Sequence, residues 1–169
     1  MEGGADIDKA AEDGWTPLLI ASHNGHVDVV RALMEGGADI DKADKAGWTP
    51  VDAASEEGHV DVARALLEVG ADIDKAMDGG WTPLLIASEN GHVEVVSVLL
   101  EQGADIDKAR DDGCPPLLIA SAKGHVDVVS VLLEQGADID KAADDGATPL
   151  IIASYQGHGE VVSVLLEQG

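Results

Sequence analysis

The sequence predicts an all-α solenoid of stacked helix pairs with turns projecting between them, one domain over residues 1–169. Three observations carry that prediction. Gly14, Gly47, Gly80, Gly113 and Gly146 stand 33 residues apart. The same step links Pro17, Pro50, Pro83, Pro116 and Pro149, and also His26, His59, His92, His125 and His158. Segments 79–111 and 112–144 agree at 26 of 33 positions, so the period is a repeat of one structural unit. The composition supplies the third observation. Phe is absent and only Trp15, Trp48, Trp81 and Tyr155 are aromatic, so the core must be built from Leu, Ile, Val and Ala.

The elements of one unit, Gly80–Asp111, follow in order. Thr82 can cap a helix through its hydroxyl, and Pro83 fits the first turn, where no amide bond is lost. Leu84, Leu85, Ile86 and Ala87 form a short apolar helix that Gly91 can end in the left-handed conformation. A second helix starts near Val93, with Val93, Val96, Leu99 and Leu100 on one face, and ends at Gly103. The stretch Ala104–Asp111 is polar and rich in Asp, which suits a projecting turn before Gly113. One such pair cannot bury both apolar faces, whereas stacked neighbours can. The boundaries are a partial unit over 1–12 and repeats at about 13–45, 46–78, 79–111, 112–144 and 145–169.

The period, the Thr-Pro-Leu triplets at Thr16–Leu18, Thr82–Leu84 and Thr148–Leu150, the Gly-His pairs, and the V-V-x-x-L-L and G-A-D runs resemble the ankyrin repeat. The resemblance covers the whole chain, five times over. It implies an ankyrin-repeat solenoid of antiparallel helix pairs with β-turn fingers at right angles to them. The departures from the family pattern carry expectations of their own. The family's usual His after Thr-Pro-Leu is replaced by Leu19, Asp52, Leu85, Leu118 and Ile151, so its hydrogen bond to the turn should be missing. Cys114-Pro115-Pro116 removes one Thr cap, at about 0.5–2 kcal/mol. Asp52 interrupts an apolar helix, and Gly159, where the other repeats have Val, should loosen the last one.

Charge excludes whole classes of function. Ten Lys and Arg against 33 Asp and Glu leave a net charge of −23. Nucleic acid is excluded as a partner, because phosphate binding needs a clustered positive surface, and an anionic membrane surface is disfavoured for the same reason. No apolar run reaches the roughly 20 residues of a membrane span, and MEGGADIDKA does not read as a signal peptide. A single cysteine points to a reducing, cytoplasmic compartment.

Chemistry finds little footing. The five Gly-His histidines are one stacking step of about 10 Å apart, too far to share a zinc ion, so they read as turn-closing hydrogen-bonders. The pairs Asp6/Asp8, Asp39/Asp41, Asp72/Asp74, Asp105/Asp107 and Asp138/Asp140 open like a calcium loop. Position five of that loop should be acidic and is Ala43, Ala76, Ala109 and Ala142, so the pairs read as turn caps. Cys114 has no histidine in its own repeat nearer than His125 and is followed by prolines, which leaves no nucleophile with a base. The expectation is a non-enzyme with no cofactor, no catalytic residue and no metal site.

Function is sought where the repeats disagree. The variable columns include Asp44, Met77 and Arg110; Lys45 and Asp111; Trp15, Trp48 and Trp81; and Glu56, Glu89 and Tyr155 on the first helix. In the family these positions look like finger tips and the inner helix face, which together line a groove. Trp, Tyr, Arg and Met are enriched in protein interfaces. The expectation is a protein–protein interaction module whose partner carries a basic patch. Two alternatives remain: an engineered or structural scaffold with no dedicated partner, and cation binding by the Asp-rich fingers. Near-identical repeats favour the scaffold, whereas Pro115, Asp52 and Gly159 look like natural drift. Residues 1–10 duplicate residues 34–43, so the chain should begin in the last turn of a second helix. Val161, Val164 and Leu165 or their neighbours should then be exposed at the other end, and weak head-to-tail self-stacking is expected.

Overall fold

The computed structural model describes residues 4–168, so the expected helical remnant at residues 1–3 lies outside the described residues. Ten helices stand among the described residues, in five pairs. They are α1 (Pro17–His23) with α2 (Val27–Glu35), α3 (Pro50–Glu57) with α4 (Val60–Glu68), α5 (Pro83–Asn90) with α6 (Val93–Glu101), α7 (Pro116–Lys123) with α8 (Val126–Glu134), and α9 (Pro149–Gln156) with α10 (Gly159–Gln168). First helices pack on first helices and second on second, so the pairs stack in sequence order.

Local chemistry places each first helix as its sequence predicts. The hydroxyls of Thr16, Thr49, Thr82 and Thr148 accept the amide hydrogen of the third helical residue at 3.2, 3.3, 3.4 and 3.3 Å. Pro115 holds the same extended backbone in α7 and offers no such bond. Gly91 ends α5 at φ 77°, a conformation that a side chain resists. It has a second duty. A Cβ added there would lie 2.8 Å from the ring of His125 in the next repeat.

The second helices differ from the expectation. In α6 the fully buried residues are Val95, Val96, Val98 and Leu99, while Val93 and Leu100 are half-buried. The helix meets its own partner on one side and α4 and α8 on two others, so its buried arc is wider than one heptad-like face and turned by a residue. At the end of the array Val161 and Leu165 are buried, not exposed, and Val164 is half-buried. Those two side chains face inward on α10, and the exposed aliphatics of the last pair are Ile151 and Leu166. Gly159 occupies the first residue of α10 rather than its interior.

Three ladders of polar bonds join the repeats. The Gly-His histidines do not close their own turns. Nε2 of His59, His92, His125 and His158 lies 2.9, 2.7, 2.8 and 3.0 Å from the carbonyls of His23, Glu56, Glu89 and Ala122, each at the end of the preceding first helix. Lys42, Lys75, Lys108 and Lys141 donate from Nζ to the carbonyls of Asp8, Asp41, Asp74 and Asp107. The paired aspartates divide the labour. The first of each pair accepts an amide two residues on, and in the first four pairs the second accepts the amide of the next repeat, as Asp41 does from Asp72 at 3.0 Å. In those four pairs both carboxylates are therefore engaged in turns and inter-repeat bonds.

Asp52 also departs from its expectation. It is fully buried, and its Oδ2 accepts from the Thr49 amide at 2.9 Å and from the Thr49 hydroxyl at 2.6 Å. With the Thr49 cap this makes a reciprocal capping box, so in this repeat the bond back to the turn is present. Its Oδ1 is buried without a partner. Burial pushes the carboxyl up to about 6, against the lowering effect of the Thr49 bonds. Leu19, Leu85 and Leu118 fill the equivalent space with aliphatic carbon.

A candidate protein-binding groove

Each finger is a tight turn stapled across its base. Met77 donates its amide to the Trp81 carbonyl at 2.9 Å and Gly80 donates to Met77 at 3.0 Å, and the same pair of bonds recurs at Asp44–Trp48 and Arg110–Cys114. The turn delivers residue 15, 48 or 81 to the angle between finger and first helix, and all three indoles there are half-buried. Beside Trp81 a small cluster of Leu85, Cys114, Leu118 and Ile119, with Trp81, Ala143, Ala147 and Ile152 against it, fastens the later fingers to the first helices.

Two hollows open along this angle. Trp48, Met77, Trp81, Ile86, Glu56, Glu89 and Asn90 enclose about 340 Å³. Trp15, Leu19, His23, Asp44, Ala46, Trp48, Ala53 and Glu56 enclose about 270 Å³. Trp48 and Glu56 are common to both, so the tryptophans form a continuous ladder with carboxylates along its helix side. The Arg110 guanidinium lies 4.6 Å from the Trp81 ring centre and is held there by Asp112, whose Oδ1 accepts from Nε at 3.1 Å. That hydrogen bond and ion pair hold the Asp112 carboxyl below its ordinary range. Further along, Lys123 pairs with Glu89 at 3.0 Å.

The residues picked out by column variation divide into three groups. Trp15, Trp48, Trp81, Met77, Glu56 and Glu89 converge on the hollows. Asp44 lines one of them, but its Oδ1 is engaged by the amides of Ala46 and Trp48 at 2.8 and 2.9 Å. Arg110 covers the outer face of Trp81, while Lys45 and Asp111 are exposed at the finger tips. Tyr155, 83% exposed on α9, lines neither hollow. His23, Asn90 and Lys123 also stand in variable columns of the first helix, whereas column reasoning missed Ile86 as a lining residue and Asp112 as the group that ties down Arg110. Their signal lay in contacts between neighbouring repeats, which spacing within one repeat does not reveal.

A family model described as ankyrin repeats in three copies matches residues 1–77, 70–143 and 107–169, and so spans the chain. The chain belongs to the ankyrin-repeat family. A search of curated proteins found no match. Ankyrin repeats are generally protein–protein interaction modules and typically non-catalytic. Cys114 is buried, and burial pushes its thiol up to about 11, so it is protonated at neutral pH. Among the described residues, no helix is long and apolar enough to cross a membrane.

Proposed function

We propose that this ankyrin array binds a protein partner between its fingers and first helices, by a segment that offers an apolar side chain flanked by Lys or Arg. The observation that carries the reading is the hollow of about 340 Å³ shared by Trp48, Met77, Trp81 and Ile86 and bordered by Glu56 and Glu89. Aromatic and Met side chains in a half-enclosed pocket are the common anchors of interfaces, and carboxylates beside them select the charge of what enters. Burial and the neighbouring Glu57 charge hold the Glu56 carboxyl above its ordinary range, so a cationic group from the partner also relieves a local strain of like charges.

Selection from a displayed random-peptide library tests this directly. Recovered peptides should be rich in Lys and Arg around an apolar residue. Trp48→Ala and Trp81→Ala should each weaken their binding by more than about 1 kcal/mol with the helical signal unchanged. Peptides that ignore both substitutions would place the interface elsewhere.

A further inference from the structure

His23 is the one histidine of six outside the Gly-His pairs. It is the last residue of α1, and its ring stands edge-on to the Trp15 indole, with centroids 5.1 Å apart and an interplanar angle of 77°. Its Nδ1 lies 3.7 Å from Oε1 of Glu57, which ends α3 in the next repeat. Glu56 precedes Glu57 and occupies the His23 column one repeat on. Stacking of α1 on α3 therefore brings three side chains to one place. One ligand atom from each of His23, Glu56 and Glu57 lies within 4.8 Å of the others.

The same register at a later junction gives a different result. There it sets Lys123 on Glu89, one permanent cation on one carboxylate at 3.0 Å. At the first junction two carboxylates face a single imidazole. An imidazole nitrogen with two carboxylate oxygens is a donor set for zinc and its neighbours. Calcium takes six to eight oxygens, and magnesium retains its waters.

We propose that His23, Glu56 and Glu57 bind one divalent first-row transition ion, of which Zn2+ is the type. Bonds of roughly 2 Å in a tetrahedral site bring ligand atoms to about 3.3 Å from one another. The His23–Glu57 pair is already near that spacing at 3.7 Å. Nδ1 is the ligand atom, so the ring proton sits on Nε2. Three protein ligands leave a fourth position, and because His23 and Glu56 both line the hollow of about 270 Å³, that position faces the groove. The net charge of −23 raises the local concentration of any cation, which helps a three-ligand site fill.

Calorimetry of the full chain with ZnCl2 at pH 7.5, after chelator treatment and against a millimolar background of MgCl2, tests the site. One equivalent of zinc should bind, and His23→Ala should weaken it at least about tenfold. Glu57→Gln, on a half-exposed side chain that the fold does not need, should do the same, while His26→Ala should leave it unchanged. Cobalt should give a visible absorption band that His23→Ala removes. Zinc binding that survives His23→Ala, that Mg2+ abolishes, or that His26→Ala removes instead would overturn the proposal.

Discussion

Helices α3 and α5 occupy the same place in successive repeats, with the same Thr-Pro start and the same left-handed glycine end. They differ at three buried positions, Val51/Leu84, Asp52/Leu85 and Ala53/Ile86, of which only the second exchanges a carboxylate for carbon. Leu85 in α5 is fully buried in one apolar cluster with Cys114, Leu118, Ile119 and Trp81, and Asp52 in α3 is fully buried with one oxygen bonded and one orphaned. The backbone is indifferent to the exchange, because the cap and the glycine fix its path. The energetics are not. The array thus contains its own control for what a buried carboxylate costs in a fixed frame.

The largest expected effect follows from converting one helix into the other. Asp52→Leu should raise stability at pH 7.5 by about 2–3 kcal/mol, since a shift from 3.8 to about 6 corresponds to roughly that penalty for the charged form. Urea unfolding measures it. A neutral or negative result would mean that the bonds from Thr49 outweigh the burial.

The pH dependence sharpens the same comparison. The folded Asp52 takes up its proton near pH 6, whereas the unfolded chain does so only near 3.8, so the penalty is complete above pH 6 and vanishes as the pH falls towards 3.8. The advantage of Asp52→Leu over the parent should therefore shrink steadily between pH 7 and pH 4, read as the difference between two unfolding curves at each pH. An advantage that stays constant through that range would contradict the assignment.

A smaller effect compares α5 with α7. Pro115 already holds the extended backbone that Thr82 adopts, so Pro115→Thr restores a cap without strain. The cap contributes about 1 kcal/mol and the looser unfolded chain takes back up to about half of it or more, leaving a gain of about 0.5 kcal/mol. A destabilised variant would show that the rigidity of proline outweighs the missing hydroxyl.

The smallest difference is expected from salt. Screening at about 0.15 M NaCl should raise the melting temperature of so acidic an array. It should raise the parent and Asp52→Leu alike, because the buried group is shielded from the ions. A much larger rise in the parent would mean that Asp52 senses surface charge.

The fold was legible because an ankyrin repeat encodes its helices locally: Thr82, Pro83, Gly91 and Gly103 each do in the structure what their chemistry predicts. That Trp15, Trp48 and Trp81 would stand together along one edge was legible for a related reason, since residues at one position of a fixed repeat are brought side by side by the stacking. Three features were not. Spacing shows that His59 recurs with the period, but not that it reaches back to the His23 carbonyl in the preceding repeat. A period of 3.6 locates one face of α6, but not the second and third neighbours that bury Val95 and Val98. Asp52 reads as an intruder in an apolar run, and only its angle to Thr49 turns it into half of a capping box. All three depend on what lies beside a residue in the stack.

The ladders all run in one sense. The histidine and the lysine that lock a repeat's carbonyls belong to its successor, and the amide that occupies its second aspartate does as well. A chain emerging from the ribosome therefore presents the residues of each repeat's helices before the groups that fasten them have been synthesised. Each repeat must wait about one period of translation for its locks. Growth of the array is thus a ratchet in time, in which every newly made repeat is the provisional one and confers permanence on the repeat made before it.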